Sequence, residues 1–383
     1  MLSFNITRSL SDTTRQENDQ MTVDARVAVL YPKENELKIE EIAFPSPEPD
    51  QVIVKQFASG VCHSQLHQIH APREKPVILG HESTGLVIDV GKNVSHVAPG
   101  DTVLVTWVPR DAARAERPAV AARLDIRGQV AISQNVFTWA DHTIADEQYV
   151  VKVDSDIPTD VTSIIGCAVM TGAGAVINTA KVGENESVAV FGVGGVGLSA
   201  IVGAKVAKAH PIIAIDLDDQ KLAFAKKFGA THTINAKTED PVAGIHKLTA
   251  NESEFNFRGL PVSGADHAFD CIGLKSTMEQ IVPSVRSGTF GARQGGQAVL
   301  VGVPTTPVEL LAVDLLISEK QFLGSIGGSC TPDRDFPTFL DWHKKGILDL
   351  NALVTARYHL ENINEATAAL ENGEIDGRAI LEF

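Results

Sequence analysis

Cys62, His81 and Cys167 are two thiols and an imidazole drawn from three separate segments of the chain. That donor set suits zinc and fills three of four tetrahedral positions, leaving one open to water or substrate. Spacing alone says little in a chain of 383 residues, but the contexts say more. Cys62 lies in Gly60-Val61-Cys62-His63-Ser64-Gln65-Leu66-His67, His81 in Gly80-His81-Glu82 and Cys167 in Gly166-Cys167-Ala168. An open zinc of this kind is a Lewis acid that acidifies a bound hydroxyl. Cys271 and Cys330, by contrast, sit alone in apolar surroundings and read as small buried hydrophobes.

A second constellation runs from Ser187 to Gly197, where a β-branched strand leads straight into Gly192-Val193-Gly194-Gly195-Val196-Gly197. An Ala/Val-rich helix is expected from Leu198 to Ala209, so this G-x-G-x-x-G stands in the strand–turn–helix context that it needs. Such glycines let backbone approach a pyrophosphate, which rests on the helix N-terminus. The next strand ends in Asp216, 19 residues beyond Gly197, where an acid grips the adenosine ribose hydroxyls. Its carboxylate repels a 2′-phosphate and no Arg follows in 217–220, so NAD is expected over NADP.

These residues require two kinds of scaffold. From Arg26 to Val54, and again over 85–90 and 101–105, short alternating runs broken by Pro and Gly predict antiparallel β. After about residue 169 strands alternate with helices, which predicts a parallel sheet with crossover helices. The 44% apolar and 21% charged residues fit a soluble globular chain large enough for two cores. A formal charge of −15 argues against nucleic acid or an anionic membrane as partner. Four cysteines, at least two of them claimed by metal, leave no disulfide framework and imply a reducing compartment, the cytoplasm. Residues 1–22 are polar and hold no signal-like apolar segment. No apolar run is read as reaching the roughly 18 residues of a spanning helix, so a membrane protein is not expected.

From about residue 24 to its end the chain resembles the zinc-containing medium-chain alcohol dehydrogenases, on the ligand contexts and the glycine motif quoted above. The resemblance implies a mainly antiparallel, GroES-like catalytic domain over 24–168 and 327–383. It also implies an α/β Rossmann-type doubly wound sheet over 169–326, with 1–23 as a disordered extension. The implied reaction is reversible oxidation of a primary or secondary alcohol, aromatic ones included, to aldehyde or ketone by hydride transfer to NAD. One catalytic zinc per chain would acidify the hydroxyl. By the same resemblance Ser64 and His67 form a proton relay, and Glu82 stands behind the metal, where it can coordinate transiently. His63 and Arg378 contact the coenzyme pyrophosphate, Lys221 reaches the adenosine ribose, and Gly302 and Val303 lie along the coenzyme. Trp107 falls where a pocket aromatic is expected. A homo-oligomer, dimer or tetramer, acting on a small molecule is implied as well. Blander roles stand beside these: a solvated helix charge for Lys221, a surface residue for His67, a core residue for Trp107.

Two departures stand out. The family usually carries four closely spaced cysteines for a structural zinc just after Gly100-Asp101-Thr102-Val103, yet residues 106–150 contain no Cys. That zinc is therefore expected to be absent, and Arg110 to Arg123 reads instead as a helix-prone Ala/Arg-rich segment covering the same surface. The loss also weakens any carry-over of quaternary structure. Gln65 occupies a position where the family commonly has an Asp bonded to the ligand histidine; an amide keeps the bond but not the charge. The rival readings are a zinc-free quinone or enoyl reductase and a non-catalytic nucleotide-binding protein. The complete ligand set, with Asp216, argues against both.

Overall fold

The computed structural model describes residues 23–289 and 291–383. The expected N-terminal extension thus lies outside the described residues, except for Val23, which opens the strand Val23–Leu30.

A seven-stranded sheet is built around Gln51–Val61, a strand whose apolar residues apart from Phe57 are buried on both faces. Glu82–Val90 and His142–Asp146 flank it antiparallel. So does the C-terminal strand Arg378–Glu382, in the register Ala379↔Val61 to Glu382↔Ala58. The end of the chain thereby returns to its first half. A five-stranded sheet containing Val23–Leu30 and Lys38–Phe44, paired from Val23↔Phe44 to Val29↔Lys38, covers one side.

The six strands Val188–Phe191, Ile212–Asp216, His232–Asn235, His267–Asp270, Gln297–Leu300 and Gln321–Gly324 form an all-parallel sheet. Their spatial order is third, second, first, fourth, fifth, sixth. Val188–Phe191 is buried along its whole length, as a strand covered by helices on both faces must be. The order reverses between the first and fourth strands, which opens a crevice at their carboxyl ends. The glycine motif empties into this crevice. Its helix runs over Gly195–Val206 and so begins inside the motif, earlier than Leu198.

The stretch from Val161 to Ala180, which the strand–helix reading passed over, is one continuous helical rod. It corrects the expectation that no apolar run reaches spanning length: within these 20 residues an 18-residue stretch has a mean hydropathy of 1.6, and 83% of that stretch is buried within the fold. The rod is a core helix laid against Gly195–Val206. A Cβ on Gly172 would fall 2.0 Å from the Val196 carbonyl oxygen, so only glycine permits that approach.

Arg110–Arg123 is also corrected. The segment is a run of turns and extended chain up to the strand Arg123–Ile126, with no helix. Buried Asp146 pins it, receiving both Arg117 Nη atoms at 2.5 and 3.1 Å and the Val120 N–H at 2.9 Å. A carboxylate that anchors two points three residues apart outweighs a per-residue helix preference of a few tenths of a kcal/mol.

Candidate active site

Each metal-type donor is aimed by a different local device. Cys62 follows the strand Gln51–Val61 and, in extended conformation, begins the helix His63–His70. His81 follows Gly80, whose φ of +89° and tight surroundings, with a Cβ falling 2.5 Å from Trp139 N, admit no other residue without strain. Cys167 lies on the π-helical turn Ile165–Val169, a widened turn of the kind often found at functional sites.

The ligand atoms of Cys62, His81, Glu82 and Cys167 all lie within 4.8 Å of one another. The two Sγ atoms are 4.0 Å apart. Roughly 3.8 Å is expected for two thiolates on one tetrahedral ion with Zn–S near 2.3 Å. His81 Nε2 is buried without a hydrogen-bond partner, which is costly unless a metal takes its lone pair. The donor set thus fits zinc, with Cys62, His81 and Cys167 as the residues to hold it. A hydrogen bond with Cys167 draws the Cys62 thiol well below its ordinary range against the effect of burial, and the Arg378 charge adds to this. Ser64 Oγ donates to Cys62 Sγ at 3.4 Å.

Glu82 is fully buried behind these donors. One carboxylate oxygen pairs with Arg378 Nη2 and the other accepts from Ala168 N at 3.3 Å. Burial pushes its pKa up to about 7 against the opposing pull of Arg378. Arg378 lies across the start of the helix Gly195–Val206, where a Cβ on Gly195 would sit 2.1 Å from Arg378 Cδ. Its Nε is buried and unpaired.

A cavity of about 430 Å³ opens from the donors into the crevice, and it brings together His63, Ser64, His67, Trp107, Val196, Gly302 and Val303. Trp107 stands edge-on to His81, ring centres 6.4 Å apart. Desolvation by the cavity walls lowers the His63 imidazole. Thr171, Gln134, Cys271 and Ile326 line the same cavity, and sequence reasoning missed them. Only Cys271 left a signal there, since it directly follows the fourth strand at the switch point. Among the described residues, no Arg, Lys, Asp or Glu lines this cavity.

The remaining coenzyme candidates lie outside the cavity, further along the crevice. Gly192 has φ +83°, nothing lies within 4 Å of a Cβ placed on Gly194, and the helix start has no side-chain cap. The result is an open cradle of backbone donors suited to a pyrophosphate. A Cβ on Gly197 would meet the Gly192 carbonyl oxygen at 1.8 Å, so this glycine serves the close packing of helix on turn. Asp216 Oδ2 accepts from Val193 N at 3.0 Å, which ties the end of the second strand to the glycine loop. Lys221 Nζ reaches the Gly373 carbonyl oxygen at 3.4 Å.

Residues 48–155 match the alcohol dehydrogenase GroES-like domain, and residues 195–345 match the zinc-binding dehydrogenase family. The chain is 31% identical over 376 residues to an S-(hydroxymethyl)glutathione dehydrogenase of Paracoccus denitrificans, covering 91% of this chain and 97% of that one. It is 31% identical over 380 residues to a geraniol dehydrogenase of Castellaniella defragrans, covering 92% and 96%. The solved benzyl alcohol dehydrogenase of Acinetobacter calcoaceticus superposes with a TM-score of 0.81 at 28% identity, covering 94% of this chain and 99% of that one.

Proposed function

The chain belongs to the zinc-binding alcohol dehydrogenases, oxidoreductases that act on CH–OH donors with zinc and a nicotinamide dinucleotide, and from that membership we propose a finer reading. The protein oxidises uncharged primary or secondary alcohols, apolar and aromatic ones foremost, with NAD in preference to NADP. The observation that carries it is the unpaired His81 Nε2, set beside two thiols at the head of a cavity that no Arg, Lys, Asp or Glu among the described residues lines.

Zinc held by Cys62, His81 and Cys167 would supply Lewis acidity that lowers the pKa of a substrate hydroxyl. The dinucleotide would supply the hydride acceptor. Everything else falls to the chain. Gly192 to Gly197 and the helix N-terminus hold the pyrophosphate, joined by His63 and by the free Nε of Arg378. Asp216 accepts from the adenosine ribose, Lys221 lies beside it, and Gly302 and Val303 border the nicotinamide end. Ser64, half-buried and bonded to Cys62, takes the hydroxyl proton; exposed His67, one helical turn on, hands it to solvent. Glu82 stands behind the donors, paired with Arg378, where it can coordinate the metal transiently. Trp107 narrows the pocket beside the reacting carbon.

The reading includes a homo-oligomer. The helix Ala312–Ile317 buries none of its residues, and Leu311 and Leu316 are 71% and 77% exposed near the free edge strand Gln321–Gly324. A cytoplasmic setting is supported by two cysteines committed to metal and two more, Cys271 and Cys330, outside any disulfide. The test is kcat/KM for benzylic, primary and secondary alcohols against S-(hydroxymethyl)glutathione, following reduced coenzyme. An anionic thiol adduct would bring carboxylates to a wall on which no Arg or Lys stands among the described residues. Preference for that adduct would overturn the uncharged-substrate reading.

A further inference from the structure

His81 is held from behind by Gln65, a side chain only 2% exposed. One end of the amide, Oε1, lies 2.5 Å from the Gly80 N–H; the other, Nε2, lies 2.7 Å from His81 Nδ1. Gly80 N is a donor in every state. Nδ1 is a donor or an acceptor according to the tautomer. When Nε2 gives its lone pair to a metal, a neutral imidazole carries its proton on Nδ1, and Nδ1 becomes a donor too. The amide then faces two donors but has one accepting oxygen and an NH₂ that accepts nothing. Exchanging the amide's two ends moves the conflict from Nδ1 to Gly80 without removing it, so the conclusion holds for either assignment of nitrogen and oxygen.

We propose that Gln65 is a positioning residue that opposes metal loading: seating zinc turns its amide over and strands the Gly80 N–H. This rests on the zinc reading of Cys62, His81 and Cys167. Without zinc the contacts are satisfied when the neutral imidazole carries its proton on Nε2: Nδ1 then accepts from the Gln65 NH₂ while Oε1 accepts from Gly80. Loading shifts that proton to Nδ1 with no net gain or loss at the ring. The amide rotates to present oxygen to Nδ1–H, and its NH₂ then abuts the Gly80 N–H. The stranded donor sits at the turn that aims His81, where Gly80 is already in a left-handed conformation. The outcome is a metal held less tightly than its own donor set allows. A carboxylate in place of the amide accepts from both neighbours at once.

The test compares the full-length wild type with Gln65→Glu, each loaded with zinc, by release to a colorimetric chelator and by hydrogen exchange resolved at the Gly80 amide. Release from Gln65→Glu is expected to be roughly 10–100-fold slower, the range usual for groups that orient a metal's ligands. In the wild type, zinc is expected to speed exchange at Gly80; in Gln65→Glu it does not. The wild-type measurement stands alone should the variant fail to fold. Equal release rates, or Gly80 exchange unaffected by zinc in the wild type, overturn the proposal. A wild type that binds no zinc overturns the reading beneath it, and the two failures are thus distinct.

Discussion

Asp216→Asn is the sharpest probe of coenzyme choice. The carboxylate accepts from Val193 N at 3.0 Å through one oxygen and from Leu217 N and Asp218 N at 2.7 and 3.2 Å through the other. Asn removes the charge and also one accepting oxygen, so an NH₂ faces either the Val193 N–H or the Leu217 and Asp218 N–H pair; that loss falls on both coenzymes alike and cancels in their ratio. Unit charges about 4 Å apart repel by about 4 kcal/mol at an effective dielectric near 20. Asp216 is only half-buried, and salt screens such a pair over about 8 Å, so about 2–3 kcal/mol is a fair share for it against a 2′-phosphate. At about 1.4 kcal/mol per decade this is roughly 30- to 140-fold in the ratio of kcat/KM for NAD to that for NADP. Asp218 and Asp219 follow after Leu217 and keep their charge, so the preference should shrink without reversing. The assay is both kcat/KM values with one alcohol, at low and high salt; the wild-type ratio should itself fall as salt rises. A ratio that Asp216→Asn leaves unchanged would refute the placement of this carboxylate at the ribose.

Elemental mass spectrometry of the purified chain should find one zinc per chain, since the described residues assemble one group of metal-type donors; a reproducible value near two would refute this. Asp146→Ala frees the Arg117 fork and the Val120 N–H and should lower stability by about 2–4 kcal/mol, read as a drop in denaturation midpoint; an unchanged midpoint would show that Asp146 does not hold 110–122 in place. Asp266 is held below the usual carboxylate range: burial pushes it up, but hydrogen bonds from Ser187 and Arg286 outweigh that. A depressed folded-state pKa gives stability that is fully present above the unfolded value of about 3.9 and lost as pH falls through the lower folded value. The stability gap between wild type and Asp266→Asn should therefore be full at neutral pH and close in acid; a gap independent of pH would contradict the assignment.

Local patterns carried much of this protein. Gly192 to Gly197 declares itself because a pyrophosphate cradle needs glycine at fixed offsets between a strand and a helix, and all of those signals lie within about thirty residues. Cys62, His81 and Cys167 were legible as types in context, each beside a glycine or the end of an element. Their meeting within 4.8 Å was not, since it depends on a strand end, a left-handed glycine and a π-helical turn converging from three segments. Propensity misled at Arg110–Arg123, where Asp146, distant in sequence, overrode a weak helical preference. The apolar run Val161–Ala180 was overlooked in the sequence, where Thr, Ser, Gly and Asn interrupt it, and its packing on Gly195–Val206 rather than its composition makes it a core helix. Gln65 shows the same division. The sequence shows an amide beside a metal-type site, but whether that amide must serve one donor or two depends on the Gly80 backbone 15 residues away, a contact that only the folded chain makes.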